Sequence, residues 1–310
     1  MVQGVVVKST GSWYKVRTPD GQVYDCRLKG KFRQKGIKST NPVAVGDEVA
    51  MKLSDDNSEN VIVDISDRKN ALIRKSTKLS KQTHIIASNV DQIVIISSIV
   101  DPKVAFGFID RILVSAEAYR IPALIVFNKF DLCRSDPAID TLAEALAIYD
   151  LAGYPVLLTS TKTGKGLEEF KALLHDKYSV LTGQSGVGKS SLINAIQSNL
   201  DLKTADVSGY NDKGQHTTTF AEMHELDFGG FITDTPGLRS FGIVDFEKEH
   251  LSHYFPEMRE RIQDCKFNNC MHINEPGCAI KKAVEEGEIA GRRYDNYIEM
   301  LNDESFQKPF

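Results

Sequence analysis

The sequence predicts an α/β protein in three parts: a small N-terminal β-barrel, a central domain of alternating strands and helices, and a small α-rich C-terminal domain. Three observations carry this. Residues 1–67 hold four or five short runs of alternating apolar and polar residues, separated by turn residues. From Gln92 to Leu181, short apolar runs alternate with helical stretches, the pattern of a largely parallel sheet covered by helices. Near the C-terminus, three of the five cysteines gather with a histidine between Cys265 and Cys278. The expected boundaries are 1–67, 68–242 and 243–310.

Each part is justified in turn. In the first, Gly4–Val7, Trp13–Arg17, Val23–Leu28, Pro42–Val49 and Asn60–Ile65 read as strands, with Pro19-Asp20-Gly21 as a turn. So many strands in so short a segment suggest a closed barrel of the oligonucleotide/oligosaccharide-binding type. A basic run lies between strands: Arg27, Lys29, Lys31, Arg33, Lys35 and Lys38, with Phe32 among them. It suits RNA phosphates and a stacked base, and a solubilising loop is the plain alternative. Residues 1–75 carry 14 Lys and Arg against 9 Asp and Glu, a net +5, so the rest of the chain carries −9 of the −4 total. A basic part on an acidic chain points to a polyanionic partner.

Residues 68–90 are polar and basic and read as a linker. Then come Gln92–Ile96 (strand), Phe108–Ala118 (helix), Ala123–Phe127 (strand), Ala138–Asp150 (helix), Pro155–Leu158 (strand), Leu167–Leu174 (helix) and Tyr178–Leu181 (strand). Ligands of such folds bind at the carboxyl ends of the strands, where all the motifs of this domain lie.

The stretch Gly183-Gln184-Ser185-Gly186-Val187-Gly188-Lys189-Ser190-Ser191 fits G-x-x-x-x-G-K-[ST] between a strand and a helix. Its backbone N–H groups cradle phosphates, Lys189 reaches the β- and γ-phosphates, and the Ser190 hydroxyl suits Mg²⁺. Asn128-Lys129-Phe130-Asp131 is N-K-x-D. A carboxylate at Asp131 accepts from the N1–H and amine of guanine, groups that adenine does not offer there. Asn128 would meet the purine from its other edge, and the Lys129 stem would cover it. Ser160-Thr161-Lys162 is similar to the base-contact loop of GTPases. Asp234-Thr235-Pro236-Gly237 is D-x-x-G: Asp234 holds Mg²⁺ through water and the Gly237 N–H meets the γ-phosphate. Of Thr217, Thr218 and Thr219, one would reach Mg²⁺, and Thr218 is favoured.

Cys265, Cys270, His272 and Cys278 form a set of three thiols and one imidazole that tetrahedral structural zinc favours. Cys26 and Cys133 stand apart and read as half-buried thiols. Ala279–Asn302 reads as one helix with a charged face that could meet RNA or protein. Met1–Gly4 lacks the features of a signal peptide and the apolar run at Ile93–Ile96 is far too short for a membrane span. With an odd number of cysteines, the expectation is a cytoplasmic protein without a membrane partner.

The order N-K-x-D, S-T-K, phosphate loop, T-T-T, D-x-x-G is circularly permuted relative to Ras-like GTPases, which begin with the phosphate loop. In this the chain resembles, along its whole length, the RsgA family of bacterial GTPases that depend on the small ribosomal subunit. The resemblance implies a permuted P-loop GTPase domain between an oligonucleotide-binding barrel and a zinc domain. It implies GTP/GDP, Mg²⁺ and one structural Zn²⁺ as cofactors. It also implies the small ribosomal subunit and its rRNA as partners, in late maturation, with hydrolysis stimulated by that subunit; a monomer is expected. Leu238 stands where Ras-like enzymes carry the water-orienting Gln, so His216 is expected to position the water. The family usually has G-R-H-T-T-T where this chain has Gly214-Gln215-His216-Thr217-Thr218-Thr219. A further expectation is that GTP fixes the C-terminal domain in a ribosome-binding pose and GDP releases it, because Asp234-Thr235-Pro236-Gly237 runs almost directly into it. Two other classes compete: an RNA-binding protein whose nucleotide site is only structural, against which Lys189, Ser190 and Asp234 argue, and a metabolic P-loop kinase, against which N-K-x-D argues.

Overall fold

The computed structural model describes residues 1–28, 42–54, 59–75, 83–197, 222–234 and 247–303, with the backbone alone at 74, 75, 83 and 234. Most of the basic run, from Lys29 to Lys38 with Phe32, lies outside the described residues. The chain divides into two compact units, one of Met1–Gln92, Leu174–Leu181 and Lys203–Phe241, the other of Ile93–Leu173, Thr182–Leu202 and Gly242–Phe310.

The first unit opens with a closed barrel of β1 (Val2–Ser9), β2 (Tyr14–Arg17), β3 (Val23–Leu28), β4 (Glu48–Lys52) and β5 (Asn60–Ile65), in the order β1-β2-β3-β5-β4. β1 and β4 close it in antiparallel register, and β3 pairs with β5 in parallel. Alternation puts Val6, Tyr14, Val16, Val49, Met51 and Ile62 in the core. Cys26 is wholly buried there, not half-buried, and burial raises its thiol pKa to about 11.

Two sequence expectations are corrected here. The fourth strand begins at Glu48 rather than Pro42. The buried Asp47 carboxylate draws the preceding turn out of the ladder: it accepts from the Ala44 N–H, the Arg68 guanidinium and the Ser88 hydroxyl. The supposed linker contains an antiparallel hairpin, β6 (Ala71–Lys75) and β7 (Thr83–Ser88). Leu72 and Ile85–Ala87 give it a buried face that the flanking charges conceal in the sequence.

Strands and helices then alternate: β8 (Gln92–Ser98), α1 (Phe106–Ala118), β9 (Ala123–Asn128), α2 (Asp136–Leu151), β10 (Val156–Leu158), α3 (Leu167–Leu174), β11 (Tyr178–Thr182), α4 (Lys189–Ile196), β12 (His224–Glu225) and β13 (Phe231–Asp234). β9 pairs in parallel with both β8 and β10, and β11 pairs in parallel with β13. β12 runs antiparallel to β13. All of β8 is buried, which explains a continuous apolar run rather than an alternating one.

The C-terminal part holds α5 (Pro256–Arg259), α6 (Ala279–Glu285) and α7 (Gly291–Asn302). The single helix expected over Ala279–Asn302 is two. Gly287, at φ +76°, donates to the Val284 carbonyl and ends α6 with the left-handed turn that glycine permits. Leu251, Phe255, Met258, Ile280, Tyr297 and Met300 form the local core, which Val114 of α1 joins.

Arg293 of α7 is wholly buried, its guanidinium donating to Asp110 of α1 (2.8 Å) and to both oxygens of Glu257 in α5 (2.7 and 3.1 Å). One cation faces two carboxyls, and burial pushes Asp110 up against the pull of Arg293. Removing one member of such a group strands the others without charge partners. Arg293→Met is therefore expected to cost about 3–5 kcal/mol in urea unfolding.

Candidate nucleotide site and metal centre

The phosphate loop leaves β11 at Gly183. A Cβ there would lie 2.0 Å from the Ile96 carbonyl oxygen, so only glycine lets the loop pass this close to β8. Gly188, at φ +89°, precedes α4, and its Cβ would fall 2.6 Å from the Asn128 amide nitrogen. No side chain caps α4, which leaves its first N–H groups directed at the loop, as anion binding requires. The Lys189 ammonium reaches back along the loop, donating to the Gly183 (2.8 Å) and Gln184 (2.9 Å) carbonyls. Ser185 and Gly186 are exposed, Val187 is buried, and Ser190 is half-buried at the first turn. Gly188→Ala meets both the strained backbone and the Asn128 contact. It is expected to weaken binding of a fluorescent GTP analogue at least about tenfold, read by titration.

The N-K-x-D segment leaves β9 beside this loop. Asn128 is 2% exposed, its Nδ2 donating to the Val187 carbonyl (3.0 Å) and its Oδ1 accepting from the Thr159 hydroxyl (3.1 Å). The bond to Val187 ties the base motif to the phosphate loop. Lys129 takes a left-handed backbone, with its ammonium 3.3 Å from Asp101. The Asp131 carboxylate accepts from the Ser160 hydroxyl (2.6 Å), which in turn accepts from the Thr163 N–H. Thr161 is half-buried and Lys162 exposed. Lys165 lies 3.6 Å above the Phe130 ring, fastening the two base loops. Thr159, Asp101 and Lys165 are members that sequence reasoning missed. Only proximity in the fold, not spacing, marks them.

Asp234 ends β13 opposite Leu181 of β11. Gly237, Leu238, His216 and Thr217–Thr219 lie outside the described residues.

In the C-terminal module the donor atoms of Cys265, Cys270, His272 and Cys278 all lie within 4.8 Å of one another. His272 Nδ1 is 3.6 Å from Cys265 Sγ and 3.4 Å from Cys278 Sγ. Ligands at zinc bond lengths in a tetrahedron stand about 3.5–3.8 Å apart, so this donor set fits zinc. The surroundings hold the ligands in place. Tyr294 donates to the His272 carbonyl (2.5 Å) and Tyr297 to that of Met271 (2.9 Å). The Glu275 carboxylate accepts from the N–H groups of Met271, Ile273 and Asn274. Burial holds His272 below its usual value and pushes the Cys270 thiol up to about 12. Ionising that thiol calls for the charge of a cation.

Comparison with known proteins agrees with this geometry. A family model described as the RsgA GTPase matches residues 65–244, and one described as the RsgA N-terminal domain matches residues 3–62. A relative from Christiangramia forsetii, named small ribosomal subunit biogenesis GTPase RsgA, is 52% identical over 308 residues, covering 98% of this chain and 96% of its own. One of the same name from Bacteroides fragilis is 48% identical over 302 residues, covering 97% of each chain. Among solved structures, YjeQ from Thermotoga maritima aligns with a TM-score of 0.81 at 36% identity, over 99% of each chain. YloQ, described as a circularly permuted GTPase, aligns with a TM-score of 0.78 at 35% identity, over 100% of this chain and 97% of its own. The permuted order of motifs, the barrel before them and the thiol–imidazole cluster after them thus belong to one architecture, and this chain is a member of the RsgA family of circularly permuted GTPases.

Proposed function

We propose that this chain hydrolyses GTP to GDP and phosphate on the small ribosomal subunit, binds its rRNA, and so assists late maturation of that subunit. The observation that carries the reading is the bond from Asn128 to Val187, which joins a guanine-type base motif to a phosphate loop with an intact Lys189. The names of the curated relatives supply the partner.

In this reading the N–H groups of Gly183–Ser191 cradle the phosphates and Lys189 neutralises the β- and γ-oxygens. Asp131 selects guanine, with Asn128, Lys129, Ser160, Thr161 and Lys162 lining the base. Ser190, Asp234 and Thr218 would hold Mg²⁺, which supplies positive charge against the phosphate oxygens when bound. Gly237 senses the γ-phosphate, and His216 positions the attacking water. Cys265, Cys270, His272 and Cys278 hold a structural zinc. The barrel (1–67) binds RNA, the GTPase part (68–242) switches, and the zinc part (243–310) docks. The protein works as a monomer in the cytoplasm; no helix among the described residues is long and apolar enough to cross a membrane.

Asp131→Asn replaces a carboxylate by a single carbonyl acceptor. It is expected to weaken GTP binding roughly 10- to 100-fold, the worth of a charged hydrogen bond. Co-sedimentation with small subunits tests the switch: binding is expected to be tighter with a non-hydrolysable GTP analogue, and equal affinity with GDP contradicts it.

A further inference from the structure

The barrel grips the chain beside two of the motifs just assigned. Lys8 of β1 forms an isolated antiparallel bridge with Glu222. The Met223 N–H donates to the Val7 carbonyl (2.8 Å), and the Lys8 ammonium lies 2.6 Å from the Glu222 carboxylate. Arg17, the last residue of β2, pairs with Glu225 of β12 (2.6 Å) and stacks over the ring of Phe231 (5.5 Å). Glu225 and Phe231 are themselves partners in the β12–β13 ladder. Glu222 follows Thr219 by three positions, and Phe231 precedes Asp234 by three. The same two barrel strands thus hold the residues flanking the threonine run and the D-x-x-G aspartate.

We infer that β1 and β2 form the strut through which a partner bound to the barrel acts on hydrolysis, with Lys8–Glu222 and Arg17–Glu225 as positioning pairs. The inference rests on the functional reading above, because the bound partner is RNA of the small subunit. The barrel offers RNA an exposed platform at Trp13, 39% exposed, with the Arg27 guanidinium 4.3 Å above its ring. An RNA that shifts β1 or β2 displaces Glu222 and Glu225 with them, since backbone bonds and charge fix the two together. None of these four residues belongs to the nucleotide motifs. Exposed ion pairs add little to stability, so reversing one leaves the fold intact and changes only the coupling.

Charge reversal tests this with the full-length protein. Lys8→Glu, Glu222→Lys and the double exchange are compared for basal GTP hydrolysis, subunit affinity, thermal unfolding and turnover at saturating subunit. Glu222→Lys adds positive charge, so weaker RNA attraction cannot account for a loss in that variant. Each single reversal is expected to keep basal turnover and subunit affinity within about twofold while stimulated kcat falls roughly tenfold. The double exchange is expected to regain most of the stimulation. Arg17→Glu with Glu225→Arg provides the second, independent pair. Single variants of both pairs that are stimulated like the parent overturn the inference alone, as do double exchanges no better than the singles. A parent that the subunit does not stimulate overturns the functional reading and this inference with it.

Discussion

Replacing Lys189 by alanine is expected to lower kcat for GTP hydrolysis by about 10³-fold, near the upper end for loss of one preorganised donor. The structure gives the reason in two parts. The ammonium is held over the phosphate loop by the Gly183 and Gln184 carbonyls, so it meets the phosphates without reorganisation. It is also the one cation the loop itself supplies, in a cradle otherwise made of backbone N–H groups. Alanine removes the charge and both ties, so nucleotide affinity falls as well. Single-turnover hydrolysis separates these effects from product release. An unchanged thermal midpoint shows that the loss is not one of folding. A Lys189→Ala variant turning over within tenfold of the parent contradicts the assignment of the phosphate site.

Loss of the metal is expected to be the largest change in stability. Structural zinc in small modules contributes about 10 kcal/mol or more, because the site does not preexist in the unfolded chain. Here the ligand-bearing stretch from Cys265 to Cys278 holds neither helix nor strand, lying between a short 3-10 turn at Ile262–Asp264 and α6, which starts directly after Cys278. The local core and the Arg293 cluster support the module from the α7 side, but none of their buried members lies between Lys266 and Gly277. The purified protein is expected to carry one zinc per chain by elemental analysis. Cys278→Ser, or a strong chelator, is expected to lower the unfolding midpoint by more than about 10 °C and to open the module to protease. An unchanged midpoint after chelation contradicts a structural metal.

Much of the fold was legible in the sequence because period and punctuation coincide with the elements. The barrel strands alternate, β8 is a continuous apolar run, and the phosphate loop sits between a strand and a helix. What was hidden depended on partners distant in sequence. Arg68 reads as linker charge until Asp47, twenty-one positions earlier, is seen to receive it. The hairpin's apolar residues are few and flanked by lysines. Asn128 is legible as part of a base motif, but its bonds to Val187 and Thr159, 59 and 31 positions away, are not. The tie between α7 and α1 through Arg293 has no signature in spacing. It also bears on the switch: the C-terminal module is fastened to α1 by a buried cation, so a nucleotide-dependent movement of that module must carry α1 with it.

The central claim is a guanine-specific hydrolysis that the small ribosomal subunit controls. The most direct test is turnover of GTP with and without purified small subunits, with ATP as the control substrate. Strong stimulation, confined to GTP, is the predicted result. Equal and slow turnover in the presence and absence of subunits would contradict it.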